Sequence, residues 1–276
     1  MDASFLNDDL QELREQEFQL CQQTVSRTSK TLTIGYTDAL RLYGIPTPKN
    51  CSLSADEVHV CVALTEKRPK INGVRVHTWQ AETRTCDMGN FQLVAPPVAW
   101  AQVAPYCSLQ DHIAMGCMMM SKDRYRRTAK LNDFEEYLAT NQKFKGRAQC
   151  YKTLPYLTAG TDSPTEANLL AFLSVNGIQN ITPNFEVSLR NGARRYIDLA
   201  VPNLKLGLEY QGAYHSDALQ MRKDANRMNQ LIDMGWVIIQ VTSSDMRTTE
   251  SRNQLLAKIQ RAITRQTALK KLIQNS

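Results

Sequence analysis

Two acidic residues stand where the chain should place apolar strand residues. Asp198 and Glu209 each lie inside a strand-like segment, flanked by apolar or aromatic neighbours. Such positions favour apolar and β-branched side chains, so a carboxylate there suggests a functional role. Two carboxylates at the ends of neighbouring strands would repel unless a cation lay between them. Mg²⁺ suits the arrangement because one or two carboxylates commonly hold it, and Mn²⁺ could replace it. Such an ion activates water and stabilises charge on a phosphate.

A plain salt bridge is the alternative for Asp198. Arg195 lies three residues earlier in the same predicted strand and could pair with it. Two carboxylates ending neighbouring strands favour the metal site over this salt bridge.

The elements that must position these carboxylates form a predicted C-terminal domain over residues 151–276. Its first helix starts at Ser163-Pro164-Thr165-Glu166, which supplies a capping Ser, a Pro at the first helical position and a Glu at the third. Turns at Asn191-Gly192 and Pro202-Asn203 connect a three-stranded meander. The strands of this meander are predicted over 185–189, 194–201 and 204–210. A fourth strand, over 236–241, is expected to be buried on both faces, and two further helices are predicted over 217–234 and 251–273. The expected class is α/β of the α+β type.

The first 150 residues predict a second, mixed α/β domain. Helical spacing covers 5–29 and 37–43, and two strands, 58–63 and 74–79, flank Asn72-Gly73, the signal of a hairpin. Further predicted elements are a short strand over 91–94, a buried helix over 99–120 containing the core run Met118-Met119-Met120, a helix over 132–142 and a connection over 143–152.

Composition excludes disorder and a membrane-spanning chain. Hydrophobic residues make up 42% and charged residues 22% of the 276 residues, and no apolar run reaches the ~20 residues of a membrane helix. The acidic N-terminus lacks the features of a secretion signal, so we expect a cytoplasmic protein. Seven widely spaced cysteines are expected to be reduced and mostly buried. Positive charge is concentrated after residue 150, where 15 Lys and Arg face 10 Asp and Glu.

The C-terminal motifs resemble a known nuclease group. Ile197-Asp198-Leu199, Leu208-Glu209-Tyr210-Gln211-Gly212, His215 and Gly235-Trp236-Val237-Ile238 resemble the very-short-patch-repair (Vsr) related nucleases of the PD-(D/E)XK superfamily. The resemblance implies a restriction-endonuclease-like fold, with Asp198 and Glu209 as metal ligands. It further implies that Glu166 is a helix-borne acid near the site and that His215 transfers a proton or positions water. Gln211 would occupy the place where the superfamily often has Lys.

The N-terminal half has a weaker resemblance of its own. Ala39-Leu40-Arg41-Leu42-Tyr43-Gly44-Ile45-Pro46 resembles the AbiEi-like, antitoxin-related domain that often precedes such nucleases. Together with the missing Lys, it supports a rival hypothesis, in which the chain is a catalytically inactive, nuclease-fold DNA-binding regulator or antitoxin-like protein.

Basic residues of two predicted helices are candidates for DNA contact. One helix carries Arg222, Lys223 and Arg227, and the last helix carries Lys258, Arg261 and Arg265 on one face. These cations could contact the phosphates of DNA, which is the functional interpretation. The simpler alternative is that they form a solvated surface.

Structural roles compete with function at several other residues. Glu166 fits a capping box as well as it fits an active site, and the remaining histidines, His59, His77 and His112, are expected to be hydrogen-bonded polar residues. The leading hypothesis is a Mg²⁺-dependent DNA endonuclease, acting as a possible homodimer, with no small-molecule ligand.

Overall fold

A computed structural model describes residues 3–66, 68–189, 192–211 and 228–274. The described residues divide into two compact units, which fall within 2–167 and 168–276. Both units combine helices with a mixed sheet, so the class is α/β of the α+β type. No helix of the described residues is long and apolar enough to cross a membrane.

The N-terminal unit is built on a five-stranded sheet followed by helices. Its elements are α1 (Ala3–Val25), β1 (Thr33–Ile34), α2 (Tyr36–Leu42), β2 (Val58–Ala63), β3 (Val74–Trp79), β4 (Thr85–Asp87), β5 (Gln92–Val94), α3 (Pro96–Val103), α4 (Leu109–Met119), α5 (Leu131–Thr140) and α6 (Arg147–Thr153). The strand order is β3-β2-β1-β5-β4. Strands β1 and β4 were not predicted, because two or three residues give no readable alternation.

The predicted hairpin at Asn72-Gly73 is wrong. Strands β2 and β3 pair in parallel, with Val58 beside Val74 and Ala63 beside Trp79. A hairpin needs two strands separated by only a few residues, whereas residues 64–73 form a ten-residue connection that returns the chain to the start of β2. Gly73 does turn with a positive φ of 76°, but at the end of this connection.

Two predictions for the helical part also need correction. The single helix expected over 99–120 is two helices, because the chain leaves α3 for a short 3₁₀ turn at Pro105. Ser108 then caps α4 by accepting a hydrogen bond from the Asp111 amide at 3.1 Å. The stretch expected to be a connection contains α6, whose Cys150 is buried in the core.

The interior of this unit confirms the expected roles of its histidines. His112 is buried between Thr153 Oγ1 and the Trp100 carbonyl, at 2.8 and 3.0 Å. His59 Nδ1 lies 2.8 Å from His77 Nε2. Burial lowers the pKa of all three imidazoles. The Met run is only partly core, since Met119 and Met120 are buried while Met118 lines a pocket.

The cysteines are all free thiols, as expected. Four of them are buried: Cys21, Cys61, Cys117 and Cys150. Cys51 and Cys107 are half-buried, and Cys86 is exposed.

The C-terminal unit contains a four-stranded sheet. Helix α7 (Pro164–Val175) crosses the boundary between the units, and β6 (Thr182–Ser188), β7 (Arg194–Val201), β8 (Leu206–Gln211), a helix α8 whose described part is 228–233, β9 (Val237–Thr242) and α9 (Thr249–Gln274) follow. The order is β6-β7-β8-β9, antiparallel at the first two interfaces and parallel at the third. The element order of the described residues agrees with the predicted helix, meander, helix, strand and helix. Of the helix predicted over 217–234, residues 217–227 lie outside the described residues.

Strand β9 is not the central strand that its apolar sequence predicted. Within the described residues it ends the sheet order and pairs with β8. Its side chains alternate, with Ile239 and Val241 buried and Val237 37% exposed. An apolar run cannot distinguish a strand buried on both faces from one that buries alternate residues.

One glycine is required by the packing of this sheet. A Cβ at Gly207 would lie 2.7 Å from Ile238 Cδ1 and 2.8 Å from Ile197 Cγ2. Ile197 belongs to the unit's buried cluster with Leu231 and Trp236, so these side chains have little room to move away.

Candidate functional site

The predicted carboxylates lie where two strands of the C-terminal sheet part. Strand β7 pairs with β6 from 194 to 200, but with β8 only from 199 to 201. Strand β8 meanwhile pairs with β9 along its whole length. The last pair between β7 and β8 is Leu199 with Leu208, so Asp198 and Glu209 are the next residue on each strand.

Asp198 and Glu209 are therefore neighbours across this fork. The amide of Tyr210, the residue after Glu209, donates a hydrogen bond to the Asp198 carboxylate, so Asp198 lies beside this part of β8. Both residues are half-buried. The fold thus brings together the two residues that the sequence singled out as metal ligands.

The backbone of β8 orients the Asp198 carboxylate. The Tyr210 amide donates a hydrogen bond to Asp198 Oδ2 at 2.8 Å, which joins the two strands where their regular pairing has ended. Arg195, the partner weighed for a salt bridge, donates to Gln230 Oε1 at 3.1 Å and to the Arg194 carbonyl at 3.0 Å.

Strand β9 pairs with β8 on the side away from β7. Glu209 pairs with Gln240, and Gln211 pairs with Thr242. Gln211 is exposed at the end of β8, where its amide can both donate to and accept from a water molecule. Asp245 is engaged nearby, because its Oδ2 accepts hydrogen bonds from the Thr242 amide and hydroxyl at 2.7 Å each.

Asn184 is a further oxygen donor near the fork, and nothing in its sequence context singled it out. In the register of β6 and β7 it falls opposite Asp198, between the pairs Pro183 with Leu199 and Phe185 with Ile197. Its φ is +49°, a conformation that Asn tolerates better than most residues. Amide oxygens are ligands for hard cations. No sequence signal marked this residue, because it depends on strand register.

Glu166 forms the helix cap that was the alternative to a catalytic role. Its carboxylate accepts hydrogen bonds from the Asp162 amide and the Ser163 hydroxyl, each at 2.9 Å. The Glu166 amide donates to Ser163 Oγ at 3.2 Å. This reciprocal pattern satisfies donors at the start of α7. Glu166 is buried and belongs to the N-terminal unit.

The candidate DNA contacts fall into two groups. On α9, Lys258, Arg261 and Arg265 are all exposed, three or four residues apart and hence on one side of the helix. The other three candidates lie outside the described residues: Arg222, Lys223 and Arg227. The candidate for proton transfer, His215, also lies outside them.

The donors at the fork are of the type that a small divalent cation prefers. Within the described residues, no group of three or more His, Cys, Asp or Glu side chains could hold a metal ion. Two carboxylates on adjacent strands nevertheless fit Mg²⁺, which keeps several waters and needs only one or two protein carboxylates.

The chain is similar to two proteins of Mycobacterium tuberculosis. They are Uncharacterized protein Rv2248 of strain H37Rv and Uncharacterized protein MT2308 of strain CDC 1551, each 23% identical over 228 residues. The similarity covers 82% of this chain and 79% of each relative. It is longer than either compact unit, so it extends into both. No family model and no solved structure matches the chain.

Proposed function

We propose that the protein is a metal-dependent endonuclease that hydrolyses phosphodiester bonds of DNA in the cytoplasm. The observation that carries the proposal is the position of Asp198 and Glu209, side by side where β7 and β8 part. We assign a restriction-endonuclease-like fold to the C-terminal unit. Its sheet, antiparallel twice and then parallel, and the resemblance of its motifs to Vsr-related nucleases support this assignment.

The residues at the fork fit a magnesium site. Asp198 and Glu209 would supply carboxylate oxygens, and the Asn184 amide is a further oxygen donor beside them. When bound, Mg²⁺ supplies an activated water and offsets charge on the phosphate. The hydrogen bond from the Tyr210 amide keeps Asp198 oriented before any metal arrives.

Proton transfer and substrate binding fall to other residues. Gln211, exposed at the end of β8, orients the attacking water through its amide. The resemblance assigns proton transfer to His215, whose imidazole can accept a proton near pH 7. The exposed cations Lys258, Arg261 and Arg265 would hold phosphates without reading sequence. With one site per chain, two copies on the DNA would cut both strands in one binding event, which favours a homodimer.

A catalytically inactive DNA-binding regulator is the second candidate. Gln211 favours it, because this neutral amide stands where the superfamily often has a Lys. An amide can position water, but it carries no positive charge that would stabilise the negative charge developing on the phosphate. Metal-independent DNA binding without cleavage would be its signature.

Supercoiled plasmid distinguishes the two candidates. The wild-type protein with Mg²⁺ or Mn²⁺ should nick the plasmid, and EDTA should stop the reaction. Asp198→Asn should abolish nicking and leave the melting temperature and DNA affinity close to those of the wild type. Glu186→Gln is a matched control, because Glu186 is an acid of the same sheet whose partners are Arg194 and Tyr196. Nicking by Asp198→Asn at the wild-type rate would refute the endonuclease proposal.

A further inference from the structure

A basic loop of the N-terminal unit carries an exposed aromatic ring. Residues 122–127 contain four cations and one acid. Asp123 organises the loop, since its carboxylate accepts the Tyr125 amide at 2.9 Å and pairs with Arg126 at 3.1 Å. Arg124 and Arg127 remain exposed. The loop therefore presents positive charge from a fixed backbone.

Tyr125 is the most exposed of the large apolar and aromatic side chains in the described residues, at 79%. The Arg124 guanidinium lies 4.7 Å from the centre of its ring. An ordered loop that holds an aromatic face in water beside arginines has the components of a stacking platform for single-stranded nucleic acid.

The same loop forms one wall of a pocket of about 340 Å³. Tyr125 and Arg126 line it together with residues of α1 and of the turn that follows α2. The charged lining residues balance, with Arg14 and Arg126 against Asp123 and Asp162. The volume lies in the range of small-ligand sites, about 300–1,000 Å³. A neutral, polar group of the size of a nucleobase suits this lining better than an anion.

One polar atom of the lining lacks a partner. Thr128 lines the pocket, and its Oγ1 is buried without a hydrogen-bond partner among the described residues. Buried hydroxyls are nearly always hydrogen-bonded, so an exception calls for a water or a ligand. A nucleobase edge offers both donors and acceptors to such a hydroxyl.

We propose that the loop 122–127 and this pocket form a second nucleic-acid site, specific for single strands. Exposed cations of the loop bind phosphates, Tyr125 stacks on one base, and the neighbouring unstacked base enters the pocket beside Thr128. The site rests on the proposed function in taking nucleic acid as its ligand, but its binding requires neither metal nor cleavage. An acidic peptide would neutralise the arginines without using the ring face or the pocket, whose lining charges balance.

Fluorescence anisotropy with a labelled oligothymidylate in EDTA tests the site. Tyr125→Ala should weaken binding about tenfold and Tyr125→Phe should not, because stacking on an aromatic ring is worth ~1–3 kcal/mol per base. Tyr151→Ala is the matched control, since Arg147 also lies over that ring, at 4.5 Å. The control should bind like the wild type, and thermal melting verifies that each variant folds.

Two further variants test the phosphate contacts and the pocket. The double variant Arg124→Gln/Arg127→Gln should make the negative slope of log affinity against log salt shallower by about 1.4, because each phosphate contact to a single strand contributes about −0.7. Thr128→Val keeps the side-chain shape and removes the hydroxyl. It should weaken binding about fivefold, the value of one hydrogen bond.

Three results would overturn the proposal: no binding of single strands by the wild type, equal affinity of Tyr125→Ala and the wild type, or equal affinity of Tyr125→Ala and Tyr151→Ala. Failure of the endonuclease proposal is separate, because it appears as absent plasmid nicking with Mg²⁺. Asp198→Asn should bind the labelled strand in EDTA like the wild type.

Discussion

Removal of one guanidinium should sharply destabilise the N-terminal unit. Arg41 of α2 donates hydrogen bonds to Glu17 of α1 and to Asp38, at 2.9 Å for Asp38, and its Nη1 donates to Thr47 at 3.1 Å. The Glu17 and Asp38 side chains are buried. Arg41→Met would leave two buried carboxylates facing each other without their shared cation.

The expected cost follows from this burial. Removing one partner of a buried ion pair costs about 3–5 kcal/mol, because the remaining charge stays desolvated. With a urea dependence of about 2 kcal/mol per M, the unfolding midpoint should fall by about 2 M. Arg75→Met is the matched control. Arg75 pairs with Glu57 at 2.9 Å but is 59% exposed, and such surface pairs contribute about 0–1 kcal/mol.

Urea unfolding followed by circular dichroism measures both variants. The double variant Arg41→Met/Asp38→Asn should recover part of the loss, because an amide cannot ionise and so tolerates burial beside Glu17 better than a carboxyl group does. Equal midpoints for Arg41→Met and Arg75→Met would refute the reasoning. So would a double variant less stable than Arg41→Met.

Further predictions concern pH, packing and the α7 cap. Burial raises the pKa of Asp38 from 3.8 to about 8, so the folded protein holds a proton that the unfolded chain releases. Stability should therefore fall as pH rises from about 4 to 8, and urea midpoints of Asp38→Asn should depend less on pH. Gly207→Ala should cost about 1–3 kcal/mol in urea unfolding, because its Cβ would overlap Ile197 and Ile238; an unchanged midpoint would contradict this packing. Glu166→Ala should cost about 1 kcal/mol in the same assay, because the cap of α7 is lost. If capping is its whole role, this variant should still nick plasmid. Loss of nicking in a folded variant would instead give Glu166 a catalytic role.

The meander and its carboxylates could be predicted because their signals are local. Turn residues between short alternating segments set the order β6, β7 and β8, and Asp198 and Glu209 stand out against apolar neighbours. The start of α7 was equally readable, since Ser163 and Glu166 lie within four residues of each other.

Other features depend on contacts between distant segments. The parallel pairing of β2 and β3 depends on the path of the connection 64–73, which the Asn72-Gly73 signal does not reveal. The place of β9 at the end of the described sheet order depends on which strands pair with it. Asn184 is placed beside Asp198 by register alone.

The buried ion pairs of α2 were unpredictable for the same reason. Arg41 and Glu17 are 24 residues apart and meet only when α1 packs on α2. Sequence periodicity shows which face of a helix is apolar, but not which charges the facing helix will bury.

Calorimetric titration of Mn²⁺ tests the central claim, that Asp198 and Glu209 together hold a divalent cation. We expect the wild type and Glu186→Gln to bind the metal with the same heat, and Asp198→Asn and Glu209→Gln to show none above dilution. Wild-type heats from both fork variants would contradict the account, because the carboxylates where β7 and β8 part would then have no part in metal binding.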